Sequence, residues 1–288
     1  MKTAKKVIII VALVFVGAGA ALVGISALAF GFGYRNLSIE SVSTENEINV
    51  IEDSFDSIDI DAVDYDLEII SSGSDKCTVE IDRKNRDSFT VEVKNGTLRV
   101  HENEKIKFFY FGFLEKTPKI TVSIPNKDYK TLRAVTVSGD IKQNSCGKFE
   151  KTDIRTTSGE IYLTGTETEE LEIKSVSGDI DVYDTNVLSA EVKTTSGEMD
   201  FERFIALDKF SAESVSGGVE FESFDAGEIS IKTVSGDVDG SLLSPKKFET
   251  NTVSGEIDVP FSENSTQKCS VKTTSGDIEI EIEPRFTR

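Results

Sequence analysis

The chain has 288 residues and a formal net charge of −19. Lys2, Lys5 and Lys6 precede residue 34, so the remainder carries 29 of the 32 basic residues against all 51 acidic ones, a net charge of −22. This balance argues against nucleic-acid binding, which depends on Lys and Arg releasing counterions from phosphate. It favours a solvated surface, cation binding or cationic partners.

The N-terminal residues 7–32 are free of charge and apolar. A helix of about 20 such residues spans a bilayer. The lysines lie before this segment and only Arg35 follows closely, so the positive-inside rule predicts a cytoplasmic N-terminus and an exported remainder. We predict a single-pass transmembrane signal anchor over residues 1–34 and a polar linker over 35–54. A cleaved signal peptide is the alternative, because "ALA" at 27–29 resembles a cleavage site.

Cysteine and histidine offer little material for a metal site or a nucleophilic triad. Cys77, Cys146 and Cys269 form no Cys-x-x-Cys pair, and His101 is the only histidine. We therefore expect no catalytic residues, no cofactor and no metal site built from these residue types.

One short motif recurs through the C-terminal half of the chain. Variants of "TVSGDI" appear eight times, and consecutive Ser-Gly pairs are 19 to 21 residues apart. Their serines are Ser138, Ser158, Ser177, Ser196, Ser216, Ser235, Ser254 and Ser275. Even spacing of this kind is typical of a repeat architecture.

Each repeat contains two stretches in which apolar and polar residues alternate. In the repeat at Ser177, Leu171 and Ile173 precede the serine, and Ile180 and Val182 follow it. Alternation with period two and enrichment in β-branched residues predict one strand before the Ser-Gly pair and one after it. Parity places Ser175 and Ser177 on the same inner face as Leu171 and Ile173, or at the corner, and glycine provides the backbone freedom for the bend.

One repeat cannot bury its own apolar face, whereas stacked repeats can. We therefore predict an all-β fold: a parallel β-solenoid of about eight coils over residues 131–288, roughly 40 Å long at about 4.8 Å per coil. An antiparallel meander with Ser-Gly turns is the alternative. Parallel stacking explains better why each position of the repeat keeps one type of residue.

Stacking would align acidic side chains into outward ladders. Two and four residues after each serine the repeat is mostly Asp or Glu, and like charges about 5 Å apart in water repel by about 0.8 kcal/mol. The ladders are either a solvated face or a surface that collects cations or cationic peptides. The candidate residues are Asp179, Asp181, Glu198, Asp200, Asp237, Asp239, Glu256 and Asp258. A threonine array that orders water or ice is a further alternative, which the inward parity opposes.

Residues 55–130 alternate like strands but do not follow the repeat, and Asn95-Gly96 predicts a hairpin. We predict that this region is an N-terminal β cap over the first coil. It contains an aromatic cluster that is either a core plug or an exposed contact with lipid or a partner. The members of the cluster are Phe108, Phe109, Tyr110, Phe111 and Phe113.

The repeated "TVSGDI" and "TTSGEI", preceded by "VKNGTLRV" and "ITVSIPNKDYKTL", resemble the bacterial putative-adhesin family of β-strand-repeat proteins, a domain of unknown function. The resemblance covers about residues 50–288. It implies a β-solenoid-like fold at the bacterial cell envelope, and some relatives are associated with envelope stress and antimicrobial peptides. It carries no catalytic residues over to this chain.

We therefore expect a non-enzymatic, membrane-anchored, extracytoplasmic protein that binds or scaffolds at the cell surface, as an adhesin or as a sensor of envelope stress. Cationic peptides, cell-wall components and other surface proteins are the expected partners, besides the membrane itself. A structural spacer of the envelope is one alternative. A polysaccharide-acting β-helix enzyme is the other, but its carboxylates would have to converge at one irregular place, and here they are spread evenly.

Overall fold

The computed structural model describes residues 44–84, 88–103, 117–261 and 265–283. The predicted membrane span and the aromatic cluster at 108–113 lie outside these residues. The described part of the chain contains no helix long and apolar enough to cross a bilayer.

Every regular element of the described residues is a β-strand, which confirms the all-β prediction. The strands are β1 (Thr44–Ile51), β2 (Ser57–Asp61), β3 (Asp66–Ser71), β4 (Cys77–Lys84), β5 (Phe89–Lys94), β6 (Thr97–Glu102), β7 (Lys119–Ile124), β8 (Asp128–Val135), β9 (Ile141–Asn144), β10 (Lys148–Arg155), β11 (Ile161–Thr164), β12 (Glu167–Lys174), β13 (Ile180–Lys193), β14 (Met199–Glu213), β15 (Val219–Lys232), β16 (Val238–Leu242), β17 (Lys247–Asn251), β18 (Ile257–Asp258), β19 (Lys268–Lys272) and β20 (Ile278–Ile282).

Successive repeats stack in parallel, with equivalent residues in register. Ile154 of β10 lies between Ala134 and Ile173 of the neighbouring coils, and Ile161 lies between Ile141 and Ile180. The antiparallel alternative is therefore wrong for the Ser-Gly strands. Each coil has a pre-corner side, formed by the strand before Ser-Gly, and a post-corner side, formed by the strand after it. The inward side chains of both sides form one continuous apolar core.

The Ser-Gly corner differs from the parity prediction in one position. The hydroxyl residue two before the serine is buried, as expected: Thr156 donates from Oγ1 to the carbonyl oxygen of Gly139 at 3.3 Å. The serine itself, Ser177 for example, is exposed, because the chain turns before it. Strand alternation ends at the buried hydroxyl, so parity cannot be extended through the corner.

The glycine of the corner is required by close packing and not by an unusual backbone angle. The φ angles of Gly159, Gly178 and Gly197 are not in the left-handed region. A Cβ on Gly178 would lie closer than 3.0 Å to the carbonyl oxygen of Gly159 in the coil below, and the same holds from coil to coil. A side chain here would force neighbouring coils apart.

A second bend, seven residues after the serine, does need the left-handed region. Its residues have φ between 32° and 61° in five consecutive coils: Ser145, Gly165, Asp184, Arg203 and Ser223. The varied residue types hid this bend from the sequence analysis.

The coils at the N-terminal end do not stack in chain order. Residues 57–71 lie directly below the first Ser-Gly coil, since β2 pairs with β8 and β3 pairs with β9. The later strands β6 and β7 lie below them, parallel to β2 and β3. Antiparallel strands end the sheet. On the pre-corner side β5 pairs with β6; on the post-corner side β4 pairs with β7, and β1 pairs with β4. Asn95 (φ 52°) and Gly96 (φ 75°) make the predicted hairpin between β5 and β6.

The C-terminal end has the same inversion of order. The last coil along the chain consists of β19 and β20. It pairs with β15 and β16, which belong to the coil below it. The earlier strands β17 and β18 lie above it and form the last coil of the stack. Chain segment 265–283 is thus inserted between two coils that precede it in sequence.

A fully buried lysine bridges this insertion. Lys246 lies just before the outermost coil, and its Nζ donates to the Gln267 side chain of the inserted coil at 2.6 Å. It also reaches the coil beneath, at the Ala226 carbonyl oxygen (2.6 Å) and at Asp225 Oδ1 (2.5 Å). One ammonium group therefore joins three layers whose order differs from that of the chain.

We expect Gly178→Ala to lower the free energy of unfolding by about 2 to 3 kcal/mol, because the new methyl group collides with backbone. Chemical denaturation measures the change. Gly218→Ala is the matched control, since a Cβ there meets only the Asp237 carbonyl oxygen at 3.4 Å. Equal effects of the two substitutions would contradict the close-packing role of the corner glycine.

We expect Lys246→Met to cost about 3 kcal/mol or more, because it removes the cation that pairs with the Asp225 carboxylate and the donor to the buried Ala226 carbonyl oxygen. Adding Asp225→Asn should recover part of the loss. Lys247→Met, at the exposed neighbouring position, should be close to neutral in the same denaturation experiment.

Candidate binding surface

The two sides of the stack carry very different outward charge patterns. On the pre-corner side, acidic and basic residues two apart form ion pairs along a strand and diagonally to the next coil. Arg155 Nε contacts Asp153 Oδ1 at 2.7 Å and Arg155 Nη2 contacts Glu172 Oε1 at 3.2 Å; Lys232 Nζ contacts Glu213 Oε1 at 3.0 Å. We call this outward surface the paired face. The ion pairs lower the pKa of Glu172 and Glu213, mainly through the hydrogen bonds from Lys174 and Lys232.

The post-corner side presents carboxylates without such partners. In β13, β14, β15 and β16, position four after the serine is occupied in register by Asp181, Asp200, Glu220 and Asp239. We call this outward surface the acidic face. Among the described residues, no lysine or arginine forms an ion pair with a carboxylate of these coils at positions two or four after the serine.

A groove of about 520 Å³ runs along the acidic face beside the Ser-Gly corners. Its floor is backbone and small side chains of the corners, including Ser216, Gly217 and Gly236. Its carboxylates are Glu160, Asp179, Asp181, Glu198, Asp200, Glu220, Asp237 and Asp239. The groove crosses several coils, so it is elongated in the direction of the stack.

Desolvation and neighbouring carboxylates raise the pKa of two carboxyl groups of the groove. The pKa of Asp181 is raised, first by desolvation and then by Asp200, Asp179 and Glu160. Desolvation also raises the pKa of Asp239, and Asp237 and Glu279 add to it. A raised carboxyl pKa means that the ionised form is unfavourable in the folded protein. A bound cation would relieve that cost.

The aspartates at position two after the serine also have a structural role. Asp140 Oδ1 accepts from the Glu160 backbone N–H at 2.9 Å, and Asp179 Oδ1 accepts from the Glu198 N–H at 2.8 Å. Asp237 does the same for Asp277 at 2.8 Å. The outer ladder thus satisfies backbone donors of the corner, a role that the sequence analysis did not foresee.

A pair of tyrosines stands at one end of the groove. Tyr162 and Tyr183 have ring centroids 5.3 Å apart, and Tyr162 is 37% exposed. Tyr183 donates from its hydroxyl group to Asp200 Oδ2 at 3.4 Å. Aromatic faces beside carboxylates suit ammonium or guanidinium groups. Only the stacking of β11 on β13 brings the two rings together, so no local sequence pattern predicts their contact.

The predicted site residues are only partly brought together. Six of the predicted ladder residues line the groove: Asp179, Asp181, Glu198, Asp200, Asp237 and Asp239. Glu256 and Asp258 belong to the same columns but lie in the outermost coil, beyond the groove. The aromatic residues Phe108, Phe109, Tyr110, Phe111 and Phe113 fall outside the described residues. No group of three or more His, Cys, Asp or Glu side chains within the described ranges is arranged to hold a metal ion.

The cysteines and the histidine are not part of the groove. All three cysteines are buried, and burial raises the pKa of Cys77 and Cys269 to about 12 and that of Cys146 to about 11. Such thiols are poor nucleophiles near neutral pH. His101 contacts Asp59 at 2.9 Å on the far N-terminal coils.

Several solved bacterial proteins match most of this chain. A "putative adhesin" from Bacteroides fragilis is 17% identical, with a TM-score of 0.52, and the match covers 82% of this chain and 97% of that one. A "putative lipid binding protein" from Parabacteroides distasonis is 19% identical, with a TM-score of 0.45, covering 82% and 97%. A "putative adhesin" from Parabacteroides merdae is 14% identical, with a TM-score of 0.42, covering 83% and 96%. None of the curated proteins compared with the chain matches it.

A family model matches most of the described stack, from the coil of β2 and β3 to the coil of β19 and β20. It is the Toastrack DUF4097 model, and it matches residues 55–280. The match covers more than three quarters of the 288 residues, including both ends whose coils stack out of chain order. The chain therefore belongs to the Toastrack DUF4097 family.

Proposed function

We propose that the protein is a non-enzymatic binding protein of the bacterial cell envelope, and that the groove of its acidic face holds extended cationic ligands. The observation that carries this proposal is the contrast between the two sides of the stack. Several acids of the paired face form ion pairs with neighbouring lysines and arginines, whereas none of the eight groove carboxylates does so in the described part of the chain.

The groove suits a ligand that is long and repetitive. Equivalent carboxylates recur about every 4.8 Å along the stack. An extended peptide places side chains on one face about every 6.6 Å, so several Lys or Arg residues can reach different coils without a fixed register. Such binding consists of many weak contacts, each worth about 0.2 to 1 kcal/mol, and it weakens as salt increases.

The proposed location rests on the N-terminal sequence. The uncharged segment 7–32 behind three lysines supports an N-terminal anchor with the coils outside the cytoplasm. Cationic peptides, cell-wall components and other surface proteins are the ligands available there. The adhesin name of the Bacteroides fragilis structure agrees with a binding role. Both adhesion and the sensing of cationic antimicrobial peptides use this same surface. A structural spacer would need no unneutralised groove.

We expect the full-length protein in detergent to bind a heptamer of arginine, and binding to weaken steeply between 50 and 300 mM NaCl. Replacing Asp181, Asp200 and Asp239 by asparagine should weaken binding about 10-fold, at about 0.5 kcal/mol per carboxylate. Fluorescence anisotropy of a labelled peptide measures both effects.

The matched control removes the same charge elsewhere, with Glu169→Gln, Asp208→Asn and Glu228→Gln at exposed positions outside the groove. An equal loss in both triple variants would show that net charge alone attracts the peptide. No salt-sensitive binding by the unmodified protein would refute the proposal and favour the spacer.

We expect Asp181→Asn to stabilise the protein at pH 7. The pKa of Asp181 is raised in the folded state, so its ionised form costs stability above that pKa, and the cost disappears as the pH falls through it. The Tm advantage of the variant should therefore be largest near neutral pH and vanish by about pH 4. Asp208→Asn, at an exposed site outside the groove, should show no such pH-dependent advantage. A Tm advantage of Asp181→Asn that did not change with pH would contradict the repulsion within the groove.

A further inference from the structure

The C-terminal end of the stack is open. Its last coil consists of β17 and β18, and within the described residues each of these strands pairs on one side only, with β19 and with β20. The free side of each strand leaves a row of backbone N–H and C=O groups that can pair with another chain.

The apolar side chains of this coil are more exposed than their equivalents in the coils beneath. Ile257 is 44% exposed, whereas Ile278, the equivalent residue of the coil beneath, is 1% exposed. Val253 is 77% exposed, against 44 to 51% for the other valines of its column, and Phe261 is 88% exposed. Phe248 and Val259 are half-buried at positions that are buried in the coil beneath. We call this surface, formed by Phe248, Val253, Ile257, Val259 and Phe261, the tip.

The N-terminal end has a different shape and is not a matching partner for the tip. Within the described ranges, three strands below the first Ser-Gly coil continue the pre-corner side and four continue the post-corner side. This end therefore has a step one strand high, about 4.8 Å. The tip is even, because both of its strands belong to one coil.

We propose that the tip binds the tip of a second copy of this chain, in a closed two-fold dimer in which β17 pairs antiparallel with its counterpart. Two even ends fit together across both strands, whereas an even end against a stepped end leaves one side unpaired. A two-fold contact uses the same surface on both copies and therefore stops at two chains, without growing into a filament.

Charge selects the register in which β17 of one copy pairs with β17 of the other. Lys247 and Glu249 are the exposed charged residues of β17. Centring the pair on Phe248 places Lys247 of each copy opposite Glu249 of the other. Centring it one residue later places Glu249 against itself, which is unfavourable for like charges on opposed strands. The in-chain contact of Glu249 with Lys268, at 4.0 Å, leaves the glutamate able to pair across the dimer.

The size of the tip predicts a weak contact. With two sheets about 10 Å apart and strands of about 17 Å, the end face covers on the order of 300 Å² per copy, well below the roughly 800 Å² of a standard interface. Glu256 and Asp258 add like charge on the other side of the tip. Dimerisation is therefore expected at protein concentrations on the order of 100 µM, and it should strengthen with salt.

The dimer is independent of the groove, and its role rests on the proposed anchoring. Copies anchored in a membrane are concentrated there, so that weak tip contacts between them add up.

Charge reversal tests the dimer directly. Sedimentation equilibrium of the full-length protein in density-matched detergent, from 10 to 500 µM, should show a monomer–dimer equilibrium. Lys247→Glu and Glu249→Lys should each weaken it more than 5-fold, because each sets like charges against each other. An equimolar mixture of the two variants should restore it, since one copy then carries two acids opposite two bases.

Two further variants separate the tip from other surfaces. Val253→Lys with Phe261→Lys should abolish the dimer, whereas Val215→Lys with Leu207→Lys, exposed apolar positions away from the tip, should leave it intact.

A monomer at every concentration would overturn the proposal, and so would a dimer that is insensitive to the tip variants. A dimer that responds to the apolar variants but is not restored in the charge mixture would overturn the antiparallel β17 register. Groove variants that lose peptide binding should still dimerise, so failure of one proposal does not imply failure of the other.

Discussion

The close approach of successive coils at the Ser-Gly corner is the constraint on which the rest of the structure depends. A Cβ on Gly178 would collide with the Gly159 carbonyl oxygen, and the equivalent glycines stand in the same relation to their own neighbours. Because the backbones touch there, equivalent residues are held in register through the whole stack. At the same corner, buried hydroxyl groups such as that of Thr156 donate to backbone carbonyl oxygens, and aspartates such as Asp179 accept from backbone N–H groups.

Exact register has opposite consequences inside and outside the stack. Inside, it places isoleucine on isoleucine and builds an apolar core from coils that could not fold alone. Outside, it places charge on charge. The paired face resolves this by placing bases two residues from acids, so that Arg155 pairs with Asp153 of its own strand and with Glu172 of the next coil. The acidic face does not, and there desolvation, followed by the neighbouring carboxylates, raises the pKa of Asp181 and Asp239. The acidic groove thus follows from the register of the stack.

The two ends of the stack are built by inserting a coil out of chain order. At the N-terminal end the inserted coil is β2 with β3, and hairpin strands close the sheet beyond it. At the C-terminal end the inserted coil is held by Lys246, which contacts the layers on either side of the inversion. The insertion secures the C-terminal segment between two coils, but it leaves β17 and β18 as the free edge. The same arrangement therefore protects the chain end and creates the tip.

The sequence by itself determined the all-β fold, the coil of 19 to 21 residues and the parallel register, because these follow from the alternation and spacing of residues within each repeat. Asn95-Gly96 likewise determined its hairpin, since few residue pairs adopt positive φ twice in succession. Only the tertiary structure decided the exposure of Ser177, the bend at Asp184 and Arg203, the meeting of Tyr162 with Tyr183 and the order of the end coils. The physical reason is that near-identical repeats offer almost the same pairing energy to several neighbours. Which coil stacks on which is then chosen by single contacts between distant residues, such as those of Lys246, that no local pattern records.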